Sequence, residues 1–200
     1  MERGDLHPVA ERYRKALLDD VIPFWIRHSP DMEYGGFFTC LDRQGRVYDT
    51  GKFVWLQGRE VWMFSHLYNN VEKRREWLDL ALLGAAFLER HGHDSEGNFY
   101  FSLTRNGQPL VQPYNIFSDC FAAMAFGELF RATGDTRCGE LALNTFRNIL
   151  KRSENPKGQW SKGYPGTRPL KSFSLPMILS NLSGLIEHLL DKEAVDEIAA

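Results

Sequence analysis

Gly36 to Gly45 reads GFFTCLDRQG, and Asn98 to Gly107 reads NFYFSLTRNG. Laid over one another, Phe37 meets Phe99, Phe38 meets Tyr100, Leu41 meets Leu103, Arg43 meets Arg105 and Gly45 meets Gly107, at an offset of 62 residues. Each copy alternates apolar and polar side chains and then enters a glycine-containing turn, which is the pattern of a short β-hairpin. A third, decayed copy is expected at NPKGQW, Asn155 to Trp160.

Between these marks the apolar spacing predicts helices over 7–28, 53–70, 73–91, 114–133, 136–152 and 173–190. They alternate in character. The first, third and fifth carry charged faces, whereas the second, fourth and sixth are apolar nearly all round, as expected of buried helices. One buried and one half-exposed helix per unit of about 60 residues describes an array of helical hairpins. The fold class expected is all-α, one domain over residues 1–200, with short β-hairpins in the loops.

Composition narrows the function classes. The 200 residues are 43% hydrophobic, with 24 Lys and Arg against 26 Asp and Glu, so neither nucleic acid nor an anionic membrane is an expected partner. The longest apolar run, Ala81 to Leu88, falls short of the roughly 20 residues that span a bilayer, and the first fifteen residues lack a signal-like core. A cytoplasmic location is the expectation. Three widely spaced cysteines, Cys40, Cys120 and Cys138, fit reduced thiols better than a disulfide framework or a metal knuckle.

The second helix, KFVWLQGREVWMF from Lys52 to Phe64, places a cation in an apolar setting. At 100° per residue Trp55, Arg59, Trp62 or Met63, and His66 share one stripe, and Phe53, Gln57, Glu60 and Phe64 another. An arginine there is always ionised, so it either pairs with a carboxylate or faces a wet cavity. Both explanations stand on the residues alone. On the fourth helix Ser118 or Asp119 reads as an N-cap or as a ligand-facing group, and on the sixth Asn181 satisfies a backbone group or a ligand. His91 and His93 read as a solvated helix end rather than a metal site, and His188 beside Glu187 as a surface pair. No phosphate loop, nucleophile elbow or His-Glu-x-x-His motif occurs.

The long segment YGGFFTCLDRQGRVYDTGKFVWLQGREVWMFSHLYN (Tyr34 to Asn69), with IFSDCFAAMAFGEL and LPMILSNL, closely resembles the N-acylglucosamine 2-epimerase, or renin-binding protein, family. The resemblance covers essentially the whole chain. It implies an (α/α)6 barrel, of which three hairpins make the N-terminal half. It places Arg59 on the family's active-site arginine, Trp55 on an aromatic one turn before it, and Phe117 on an aromatic facing the sugar. Asp119 and Asn181 are expected to read hydroxyls. Met177 stands where some relatives carry a histidine, a departure favouring an N-acyl hexosamine epimerase over a cellobiose epimerase or an aldose–ketose isomerase.

The implied chemistry interconverts N-acetylglucosamine and N-acetylmannosamine by removing and returning the C2 proton, with no cofactor and no metal. The family draws its acid–base histidines from the other half of the barrel, and neither His66 nor His188 matches them. Three rivals stand beside this expectation: an epimerase of mannose or cellobiose, a hydrolase using Asp119 and Glu60 as paired carboxylates, and a non-catalytic half-barrel binding sugar or protein. The open side of a half ring would expose apolar surface, for which a homodimer is the simplest cover.

Overall fold

The computed structural model describes residues 6–153 and 173–190. Helices α1 (His7–Lys15) and α2 (Ile22–His28) are joined by a π-helical turn, Ala16–Val21. The expected first helix is therefore one rod with a widened middle. Pro23 explains the widening, because it has no N–H for an ordinary helical bond to Asp19; just before it, the Ile22 N–H donates five residues back, to the Leu17 carbonyl.

Helices α3 (Val54–Asn70), α4 (Arg75–His91), α5 (Phe117–Thr133) and α6 (Thr136–Lys151) follow as two antiparallel pairs. A seventh, α7 (Ser174–Leu185), ends in a 3₁₀ turn, Glu187–Leu189. Helices α3, α5 and α7 form an inner row, α3 against α5 and α5 against α7, while α4 backs α3 and α6 backs α5.

Both repeats form the hairpins expected of them. Strands β1 (Cys40–Leu41) and β2 (Val47–Asp49) pair antiparallel, as do β4 (Ser102–Leu103) and β5 (Pro109–Val111), and β3 (Lys52–Phe53) adds to β4. The turns match atom for atom: the Gly45 N–H donates to the Asp42 carbonyl, and the Gly107 N–H to that of Thr104. Both glycines have positive φ, 81° and 88°. A Cβ on Gly45 would fall on the His28 ring, and one on Gly107 on the His91 ring. The third hairpin, expected at Asn155 to Trp160, lies outside the described residues.

Each hairpin is tied to the inner helix that follows it. The Phe37 amide donates to Gln57 Oε1 at 2.8 Å, and the Phe99 amide to Asp119 Oδ1 at 3.1 Å. Positions 57 and 119 are again 62 apart, so the repeat extends to the seat of each hairpin on its helix. His91 is likewise a seat, tilted against Phe87 beneath Gly107, and not the solvated end expected. His188 differs too: its Nε2 lies 3.1 Å from the Gly127 carbonyl, to which it donates, and its ring stacks on Phe130 instead of pairing with Glu187.

One apolar cluster joins Ile22, Phe37, Val61, Phe64, Trp77, Phe87, Phe99 and Phe126, and a second joins Ile116, Cys120, Met124, Phe146, Leu182 and Ile186. Helices α3 and α5 are as buried as expected, but α7 is not. Among its residues only Leu182 and Ser183 are buried, and Met177 is 58% exposed. It packs along one side on α5 and presents the other to solvent. The three cysteines are free, and burial pushes the Cys120 thiol up to about 12 and Cys138 to about 11.

Candidate functional site

Helix α3 begins at Val54, so Trp55 and Arg59 stand on its first two turns. Its buried side, Gln57, Val61 and Phe64, faces the hairpin and α4. Arg59 lies about 200° from Gln57 and from Val61, on the opposite side. It is exposed, between half-buried Trp55 and Trp62. The stripe read from the sequence is thus the solvent-facing stripe of the inner row.

No carboxylate meets Arg59 among the described residues. Its guanidinium instead sits 5.5 Å from the centre of the Phe121 ring on α5, and Trp55 packs on that ring at 5.8 Å. A ring orients a guanidinium without cancelling its charge. Phe121 was not among the residues singled out from the sequence. Its signal was present, since it stands 62 residues after Arg59, as Phe117 stands 62 after Trp55.

Phe117 opens α5, one turn before Phe121, on the same face. Met177 and Asn181 stand one turn apart on the exposed side of α7. Trp62 of α3, Phe121 of α5, and Ile178 and Leu179 of α7 all pack on the second apolar cluster, so the three helices meet there.

Asp119 sits two residues from Phe121 and therefore points away from that face. It is fully buried; its Oδ1 accepts from the Phe99 amide and, at 3.2 Å, from Arg152. Burial pushes its carboxyl up to about 6, against the pull of Arg152 and the Phe99 amide. The capping expected of Ser118 or Asp119 falls to Asn115, whose Oδ1 accepts the Phe117 amide at 2.9 Å. Glu60 is also buried, on the hairpin side of α3, where Ser29 Oγ lies 2.9 Å from its Oε2. Burial pushes it up to about 8. The two carboxylates of the hydrolase alternative are thus both inside the protein, each committed to a different hairpin or helix end.

His66 lies two turns along α3 from Arg59, stacked on Trp62, with Nδ1 3.3 Å from Glu128. Above the inner helices a buried cluster ties the loops together. Lys52 Nζ donates to Asp31, to the Gly35 carbonyl and to that of Arg105, while Arg105 makes a two-pronged bond to Asp31. Burial alone would raise the Asp31 pKa, but these cations outweigh it and hold it down at about 2. Among the described residues no three His, Cys, Asp or Glu side chains gather as a metal site, and no helix is long and apolar enough to cross a membrane.

Comparison with known proteins bears on this arrangement. The family model of N-acylglucosamine 2-epimerase (GlcNAc 2-epimerase) matches residues 36–200. The N-acylglucosamine 2-epimerase of Bos taurus is 43% identical over 187 residues, which cover 91% of this chain and 43% of that protein. The cellobiose 2-epimerase of Bacteroides fragilis is 30% identical over 145 residues, covering 72% of this chain and 37% of that one. Among solved structures, cellobiose 2-epimerase from Spirochaeta thermophila superposes with a TM-score of 0.78 at 21% identity, covering 98% of this chain and 52% of that one, a likeness of fold. The chain spans somewhat less than half the length of the curated relatives it matches, in keeping with three hairpins of an (α/α)6 barrel. The helical hairpins, the repeat and the family match agree: the chain belongs to the N-acylglucosamine 2-epimerase family.

Proposed function

We propose that this chain forms the Arg59 wall of a sugar 2-epimerase that interconverts N-acetylglucosamine and N-acetylmannosamine. The observation that carries the reading is an exposed guanidinium on the inner row, flanked by Trp55 and Phe121 and free of any carboxylate among the described residues. Removing the C2 proton of an open-chain sugar drives charge onto the C1 oxygen. A preorganised cation beside that oxygen lowers the barrier, and Arg59 keeps its full charge for the purpose. Trp55 and Phe117 offer apolar faces to the sugar's C–H surface, and Asn181 offers an amide to a hydroxyl. Met177, adjoining Asn181 on α7, presents an apolar thioether in place of a titratable ring. Asp119 supports the wall from behind through Phe99 and Arg152.

Epimerisation also needs an acid and a base on opposite faces of C2. His66 is engaged with Glu128 and His188 with the Gly127 carbonyl, so these two protons are assigned to the part of the barrel that the longer relatives possess. The preference for an N-acylated sugar rests on 43% identity to an N-acylglucosamine epimerase against 30% to a cellobiose epimerase.

The test follows the hydrogen on C2 by NMR in deuterated water with N-acetylmannosamine, mannose and cellobiose, using the natural protein. Exchange is expected with the N-acyl sugar first. Arg59→Ala is expected to lower kcat/KM by about 100- to 1000-fold, with Arg59→Lys between the two. Faster exchange with mannose or cellobiose would overturn the substrate assignment, and an Arg59→Ala protein as active as the parent would remove the role given to this wall.

A further inference from the structure

Arg59 has few restraints for a residue that must present its charge in one direction. It is exposed, and no ion pair holds it among the described residues. What it has is the Phe121 ring, 5.5 Å away, and that ring is itself fixed from two sides. Trp55 packs on it at 5.8 Å with the planes inclined by 49°. Gly58 lies against the backbone of the same residue: a Cβ there would come 2.7 Å from the Phe121 carbonyl oxygen and 3.1 Å from the Phe121 Cβ. Gly58 therefore lets α3 and α5 touch at the level of Arg59, and this close approach brings the ring within reach of the guanidinium.

We propose that Phe121 is a positioning residue for Arg59, holding the guanidinium over its ring face so that the cation is oriented without being neutralised. The inference rests on the reading of Arg59 given above. A carboxylate in this place would orient the side chain equally well, but it would occupy the N–H donors and cancel the field felt by an incoming sugar oxygen. A ring leaves the donors at the guanidinium edge free. Leucine at position 121 fills space but has no ring face, so it separates packing from the attraction between cation and ring.

The experiment compares Phe121→Leu and Phe121→Tyr with the parent and with Arg59→Ala, in the natural protein. Three readouts are taken: thermal midpoint, kcat and KM separately, and the side-chain Nε–H resonance of Arg59 by NMR, which an adjacent ring displaces. Phe121→Leu is expected to lose the ring-induced displacement and to lower kcat about tenfold while KM changes less than about twofold. Phe121→Tyr is expected to restore both. If Arg59→Ala is inactive while Phe121→Leu keeps the parent's kcat, the positioning role is overturned and the reading of Arg59 survives. If Phe121→Tyr is as impaired as Phe121→Leu, packing alone explains the loss and the proposal again fails. If Arg59→Ala is as active as the parent, the reading of Arg59 falls, and the positioning role falls with it.

Discussion

Glu60 and Arg59 are neighbours in the chain with opposite fates, because 100° of helix rotation puts one in the core and the other at the solvent-facing wall. Ser29 Oγ lies 2.8 Å from the Trp25 carbonyl and 2.9 Å from Glu60 Oε2. One hydroxyl hydrogen can serve only one of them. With Ser29 donating to Trp25, a protonated Glu60 donates to Ser29, which accords with a carboxyl pushed up by burial from 4.5 to about 8. The sign follows from linkage. A carboxyl with a raised folded pKa favours the fold fully below about pH 4.5, and that contribution is lost as pH rises towards 8. Glu60→Gln is therefore expected to stabilise the protein increasingly from pH 5 to 8, by about 1–3 kcal/mol at the upper end. Denaturant titrations of both proteins across that range check it, and parallel pH profiles would refute the protonated carboxyl.

The hairpins and the inner helices behave as one element repeated. The outer helix ends in a histidine, the hairpin turns over that ring on a glycine, and the next inner helix takes the amide of the hairpin's first phenylalanine. Gly107 has two reasons to be glycine: its φ is 88°, and His91 occupies the space of a Cβ. Gly107→Ala is expected to cost about 1–3 kcal/mol, read as a lower thermal midpoint. Gly97→Ala is a suitable control, because its φ of 81° is similar while a Cβ there meets nothing. A control loss equal to that of Gly107→Ala would mean that backbone strain, and not the histidine seat, sets the cost.

Burial is uneven across the three hairpins. Helices α3 and α5 each hold more buried residues than any other helix, α1 holds none, and α7 is packed on one side only. Leu6 and Tyr13, at and within α1, and Phe173 and Met177, at and within α7, are all exposed. Local opening requires little where few apolar contacts are lost. Hydrogen exchange is expected to be slowest in α3 and α5 and fastest in α1 and α7. Protection of α7 equal to that of α5 in solution would mean that a further surface covers it.

The hairpin array, its 62-residue period and the stripe bearing Arg59 were legible in the chain because periods of 2 and 3.6 record which side of an element meets water. Trp55, Arg59 and Phe117 could be nominated from that stripe and from the family resemblance. What the linear pattern could not supply was contact between helices. Apolarity all round α7 read as burial, yet burial depends on what stands opposite. Asp119 read as a cap or a ligand group, yet it faces the Phe99 amide and Arg152, one 20 residues back and the other 33 ahead. Phe121 was not singled out at all, because its role depends on Gly58 letting α5 come against α3 beside the guanidinium. Periodicity assigns a side chain to a face of its own helix, whereas its partner is chosen by the distance and angle between helices, which arise only when the elements pack.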